Sequence, residues 1–243
     1  MKLNYSVYTD KGDRDVNEDS IAVAEKEGAS CFVLCDGLGG HGKGDLASQF
    51  VTKHIKESFE NSESLDKFFE EALPKAQEAL INEQERIGAR FEMKTTAVVL
   101  VVTDKEFRYQ YIGDSRLYHF RANKVAERSL DHSVPQMLVL AGDIKEKSIR
   151  KHPDRNRLLR VMGVEWESPR YETSDEKALQ PGDRFLLCSD GFWEPITEKE
   201  MCKLIKKTSS AEEWLSAMSE RVKKNGAGTD MDNNTAIAVV ITE

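Results

Sequence analysis

Six acidic residues stand where apolar runs of this chain start or stop: Glu18, Asp19, Asp36, Asp114, Asp190 and Asp232. Two of them are followed by glycine, in Leu34-Cys35-Asp36-Gly37 and Cys188-Ser189-Asp190-Gly191. Singly, such acids are ordinary turn residues. Repeated in this way, they suggest carboxylates converging on one sheet edge. Gathered carboxylates repel one another and call for cations. With no His or Cys in the set, oxygen-binding Mg²⁺ or Mn²⁺ is indicated rather than Zn²⁺. Two such ions about 3.5–4 Å apart clamp a phosphoryl group, and a water bridging them would be acidified to a hydroxide nucleophile. Arg14, with its planar fork, could hold a phosphate nearby.

Asp36 opens the most informative stretch. The run Cys31-Phe32-Val33-Leu34-Cys35 is short, apolar and β-prone, so it reads as a buried strand. Gly37, Gly39, Gly40, Gly42 and Gly44 follow, a loop whose backbone can come close to a ligand. The stretch 37–43 also spells the start of a phosphate-binding P-loop. That motif needs Ser or Thr next, whereas this chain has Gly44. Asp36 would repel a triphosphate unless a cation intervened, and nucleotide binding by the glycine loop stands as an alternative.

The elements that must position these residues follow from periodicity and turns. Residues 20–24 and the run ending at Asp36 are joined too tightly for a crossover helix, so they should be antiparallel neighbours. That hairpin would bring Glu18, Asp19, Asp36 and Arg14 to one edge. Helices are expected over about 45–59 and 65–86, the second with an apolar stripe near period 3.6 and a kink or break at Pro74. Strands are expected at 95–102, 107–112, 117–120, 184–189 and 235–241. Capping boxes are expected at Ser133 with Gln136, Thr197 with Glu200 and Ser210 with Glu213. Runs of strands beside runs of helices give an α+β fold with about eight to eleven strands, read as a single domain, 1–243.

The 243 residues carry a net charge of −8, which argues against a general nucleic-acid binder. No apolar run approaches a membrane span, and the N-terminal residues lack a signal-peptide core. Cys31, Cys35, Cys188 and Cys202 form no C-x-x-C pair, which suits thiols in a reducing cytosol. The segment 145–160 is cationic, with Lys147, Arg150, Lys151, Arg155, Arg157 and Arg160. A solvated face is the plainer reading of such a run, and partner docking through Arg155 and Arg157 the sharper one.

Taken together, Arg14-x-x-Asn17-Glu18-Asp19, Asp36-Gly37-x-Gly39-Gly40-His41, Gly113-Asp114-Ser115-Arg116, Asp131-His132-Ser133, His152-Pro153-Asp154-Arg155-Asn156, Ser189-Asp190-Gly191 and Asp232-Asn233-Asn234-Thr235 cover nearly the whole chain. In this order and spacing the chain resembles the metal-dependent type 2C (PPM family) serine/threonine protein phosphatases in their compact bacterial form. The resemblance implies two stacked, mainly antiparallel sheets flanked by helices, a four-layer αββα sandwich. It implies Mn²⁺- or Mg²⁺-dependent hydrolysis of phosphoserine and phosphothreonine in proteins, opposing a Ser/Thr kinase in the cytoplasm, with no nucleic acid or membrane involved. By motif, Asp36 would bridge two metals and the Gly37 carbonyl would bind one. Asp190 and Asp232 would bind the other. Glu18 and Asp19 would hold metal-bound waters. Asp114 could join a weaker third site with Asp190, Arg14 would bind the substrate phosphate, and 133–164 would form a mobile flap. Two departures stand out. Some relatives carry His directly after the Asp-Gly pair as general acid; here Leu38 is there, His41 lies nearby, and a metal-held water is the expected acid. Asp45 stands where relatives often have Glu and is expected to be a helix N-terminal charge. A catalytically silent signalling module of the same fold is the remaining alternative.

Overall fold

The computed structural model describes residues 2–26, 28–39 and 42–242. The expectation for His41 falls outside them.

The strands form two sheets. One runs β1 (Lys2–Asp10), β11 (Asn234–Thr242), β10 (Arg184–Cys188), β6 (Arg116–Arg121), β7 (Lys124–Arg128). The other runs β2 (Asp19–Lys26), β3 (Ala29–Asp36), β4 (Ala97–Val102), β5 (Glu106–Ile112), with the two-residue strands β8 (Glu172–Thr173) and β9 (Lys177–Ala178) both on β5. All pairings are antiparallel.

Side-chain alternation explains the stacking. On β3, Phe32 and Leu34 face the first sheet, joining Val98, Leu100, Phe185, Leu187, Ile237 and Val239 in a central core between the two. Cys31, Val33 and Cys35 face the other way, against Val51, Ile55, Leu73 and Leu80 of helices α1 (Gly44–Asn61) and α2 (Leu65–Arg86). On the first sheet, Cys188, Ala236 and Ala238 pack beneath Phe192, Trp193, Trp214 and Met218 of α4 (Asp190–Trp193) and α6 (Ala211–Gly226). Strands apolar on both faces must lie between two layers. The expected α+β sandwich of four layers is what the chain forms, with each fully buried large side chain contributing roughly 1.5–3 kcal/mol.

Three local expectations need correction. Helix α2 is not split at Pro74 but continues through it as one element, with the buried residues Phe69, Leu73, Ala76 and Leu80 on both sides offsetting a proline penalty of about 3 kcal/mol. Helix α3 (Val134–Ala141) is capped by Ser133, but the Gln136 side chain accepts from Arg128 instead of completing the box. Helix α5 (Glu198–Ile205) has the full Thr197–Glu200 box, whereas on α6 the Glu213 carboxylate accepts from Ser209. Strand β1 was not anticipated. Its residues alternate between half-buried and exposed along an edge, which weakens the apolar signal, and its partner β11 lies at the far end of the chain.

Candidate active site

The β2–β3 register sets Asp19 opposite Asp36, as the short hairpin requires. Asp36 is fixed by its backbone. Its N–H donates to Thr96 Oγ1 (3.0 Å), and its carbonyl accepts from the Thr96 N–H and Thr95 Oγ1 (both 2.8 Å). The chain then passes through Gly37, whose N–H donates to the Glu18 carbonyl at 3.1 Å. A Cβ on Gly37 would overlap the Gly44 carbonyl and come 2.7 Å from that of Glu18, so only glycine fits this crossing.

From the other sheet, β10 ends and α4 begins at Asp190. A Cβ on Gly191 would overlap the Asn233 carbonyl, and this close approach brings Asp190 beside Asp232. Asp114 follows β5 through Gly113, which has φ +103° and packs on Thr96. The Gly113 N–H donates to His132 Nδ1 (3.1 Å), and its carbonyl accepts from the His132 N–H (2.9 Å). Burial, with Arg160 nearby, lowers that imidazole to about 4, which keeps it neutral and able to accept.

A cleft of about 900 Å³ opens here, lined by Arg14, Glu18, Asp36, Gly37, Asp114, Asp190 and Asp232 from five separate parts of the chain. Asp19 lies behind this lining, accepting from Ser189 Oγ at 2.9 Å, while its Oδ1 is buried without a hydrogen-bond partner. Arg14 grips Asp232 (3.0 and 3.3 Å) and Asp230 (2.8 Å). Lys43, the lysine of the glycine-loop reading, is held by Glu92 at 2.7 Å. Asn233, quoted in a motif but given no role by the sequence, fastens the site. Its Oδ1 accepts from the Glu18 N–H (2.7 Å), and its Nδ2 donates to the Lys11 and Val16 carbonyls (2.9 Å each).

The electrostatics follow from this crowding. Burial, then Asp19, Asp190, Asp114 and Asp232, pushes the Asp36 carboxyl well above its ordinary range. Asp190 is raised in the same way by burial and then Asp114. Burial and then Asp131 raise Asp114 to about 7, and burial raises Asp19 to about 6 against the hydrogen bonds it accepts. Among the described residues, no three His, Cys, Asp or Glu side chains stand tightly enough to enclose a metal ion as placed. Asp232 is turned onto Arg14, and Asp19 onto Ser189. The donor set nevertheless suits a hard cation: it is all oxygen, partly buried and mutually repelling, with one orphaned carboxylate oxygen.

Comparison with known proteins decides the family. Residues 11–234 match the family model described as Protein phosphatase 2C. The chain belongs to the protein phosphatase 2C family. It is a protein serine/threonine phosphatase of that family. Among its relatives is the serine/threonine phosphatase stp of Listeria welshimeri, 30% identical over 239 residues, covering 95% of this chain and 93% of that one. The serine/threonine protein phosphatase PstP of Mycobacterium tuberculosis is 30% identical over 217 residues, 87% of this chain and 40% of that protein. The crystal structure of serine/threonine phosphatase Stp1 from Staphylococcus aureus superposes with a TM-score of 0.90 at 29% identity, covering 100% of this chain and 96% of that one. The PstP catalytic domain, solved in complex with two manganese ions, superposes at 0.81 with 25% identity and 99% of both chains covered.

Proposed function

We propose that residues 1–243 act as one catalytic domain that hydrolyses phosphoserine and phosphothreonine in proteins at a dinuclear Mn²⁺ or Mg²⁺ site, counteracting a Ser/Thr kinase in the cytoplasm. The observation that carries this reading is the opening of Asp36, Asp114, Asp190 and Asp232, with Arg14, onto one cleft. The relative solved with two manganese ions supports the choice of metal. Asp36, the Gly37 carbonyl, Asp190 and Asp232 would hold the ions, Glu18 and Asp19 would order their waters, and Asp114 with Asp190 would form a weaker third site. Bound there, such ions acidify water and neutralise charge on the phosphoryl oxygens.

The chain's own contribution centres on Arg14. Its pairs with Asp230 and Asp232 are solvent-exposed, with 41% of the Arg14 side chain and 75% and 42% of its partners accessible. Such pairs are worth about 0.2–1 kcal/mol each. A phosphate can therefore replace them at little cost, and a bidentate guanidinium–phosphate contact is stronger. Release of Arg14 would free the Asp232 carboxylate for a cation at the same time. Partial burial of Asp36 and Asp190 weakens solvent screening of the charges they face.

The test is direct. With Mn²⁺ the purified protein should release phosphate from p-nitrophenyl phosphate and from phosphothreonine peptides, and excess chelator should stop it. Asp36→Asn and Asp190→Asn should each lower kcat/KM by at least about 100-fold. A folded sample showing no metal-stimulated phosphate release overturns the reading.

A further inference from the structure

The cations near the cleft fall into two groups. Those beside it are neutralised. Arg150 pairs with Glu198 at 2.6 Å, Arg155 with Glu194 at 2.8 Å and Arg160 with Glu172 at 3.0 Å. Lys94, Arg157 and Arg170 line the same cleft, and none has a carboxylate within ion-pair distance among the described residues. These three cations line the same cleft as Asp36, Asp114, Asp190 and Asp232 and are free to meet an anion that a substrate brings.

The backbone of two of the three is fixed by hydrogen bonds, that of Lys94 directly to the site. The Lys94 carbonyl accepts from the Leu38 N–H at 2.9 Å, and the next residue, Thr95, holds the Asp36 carbonyl. The Arg157 carbonyl accepts from the Val134 N–H at 3.0 Å, and its N–H donates to Asp154. Apolar residues Leu158, Val161, Val164 and Trp166 line the cleft with them. At about 900 Å³ the cleft lies near the top of the range for ligand pockets, roughly 300–1,000 Å³, so there is room beyond one phosphorylated side chain.

We propose that Lys94, Arg157 and Arg170 select phosphorylated segments carrying an anionic side chain, a carboxylate or a second phosphate, beside the residue being dephosphorylated. This rests on the phosphatase reading and adds a substrate class to it. The acids would engage the reacting phosphate through bound cations, and the three basic residues would read what flanks it. Arg155, which the sequence coupled with Arg157, is already satisfied by Glu194 and takes no part.

The experiment uses Mn²⁺-loaded protein and phosphothreonine peptides identical except for one neighbouring residue: Asp, phosphoserine, Ala or Lys. Exposed charge pairs give a few-fold each, so the anionic flanks should raise kcat/KM about five- to tenfold over Ala, with Lys below Ala. The preference should shrink between about 0.05 M and 0.3 M salt as screening shortens. Arg157→Glu with Arg170→Glu should turn the Asp-to-Lys ratio toward Lys, a comparison within one variant that does not depend on its overall activity. Improvement by Asp alone assigns these cations to carboxylates, and improvement by phosphoserine alone assigns them to phosphates. Equal kcat/KM for all four peptides overturns the proposal while leaving the phosphatase reading intact. No turnover of any peptide or of p-nitrophenyl phosphate overturns the phosphatase reading itself and this proposal with it.

Discussion

Unlike the buried acids paired with arginine, Asp36, Asp190, Asp114 and Asp19 have carboxyls raised by desolvation and neighbouring carboxylates together. In an unfolded chain their carboxyls would ionise near the ordinary value, but in the folded chain they hold protons to higher pH, about 6 for Asp19 and about 7 for Asp114. Between those limits the folded state binds more protons than the unfolded state. Stability without a bound cation therefore falls as pH rises through this window. A divalent cation competes with those protons and removes the penalty. Saturating Mn²⁺ should raise Tm by about 5 °C or more near pH 7.5, relative to chelated protein, and by clearly less near pH 5. Scanning fluorimetry at both pH values reads the difference. An increment independent of pH would mean that these carboxylates do not hold the ion. The acids were legible in the sequence as a recurring position. Their links were not: nothing in Arg14-x-x-Asn17 announces a bond to Asp232, 218 residues away.

One buried cation joins several elements around the site. Arg116, at the start of β6, makes paired contacts of 2.8 and 2.6 Å with Asp131, and their side chains are 3% and 2% exposed. Its guanidinium lies 3.3 Å from the centre of the Trp193 ring. Trp193 closes α4, the helix that begins with Asp190, and its indole N–H donates to the Asp114 carbonyl at 3.0 Å. Strand β6, the approach to α3 and the two acid-bearing turns thus share one charge. Asp131→Ala would leave that buried charge with only Glu198, at 3.8 Å, and would strip Arg128 of a carboxylate at 3.1 Å; breaking a buried pair usually costs about 3–5 kcal/mol. The double variant Arg116→Met with Asp131→Leu should recover the Arg116 share of the loss, because a packed apolar pair needs no desolvation and Arg128 keeps Glu146 at 2.9 Å. Urea unfolding measures both, and a cost below about 1 kcal/mol for Asp131→Ala would refute the linkage. At this scale legibility depended on distance along the chain. The β2–β3 hairpin could be read because its turn permits little else. The Arg116–Asp131 pair could not, since Asp-His-Ser reads as a helix entry. Arg150 and Arg155 looked like free surface charges because their partners lie 48 and 39 residues away.

The whole molecule puts opposite electrostatic conditions at the two ends of one strand. Asp190 follows β10, in the crowded cluster, while Asp183 precedes it. Burial alone would raise the Asp183 carboxyl, but the Arg121 fork at 2.7 and 2.8 Å, the His119 ring at 3.2 Å and the Gln180 N–H at 2.9 Å outweigh it and bring it to about 2. Alternation made the layers legible, because runs such as Cys31-Phe32-Val33-Leu34-Cys35 are apolar on both faces. The strand order that separates Asp183 from the cluster is non-local, with β6 and β11 on either side of β10, and so was hidden. A carboxyl lowered on folding stabilises above its unfolded value, and that contribution is lost as pH falls toward the folded one. The cluster acts in the reverse sense, weakening the cation-free chain as pH rises. Chelated protein should therefore be most stable near pH 4–5, with a fall on the acid side set by Asp183 and a fall on the neutral side set by Asp36 and its neighbours. Asp183→Asn should lower stability by about 2 kcal/mol near pH 6, with the difference closing toward pH 2. Urea unfolding across that range resolves the two ends separately. If chelated protein instead gains stability steadily from pH 4 to pH 7.5, the carboxylates around Asp36 are not under mutual strain, and the argument that they are built for a cation loses its physical ground.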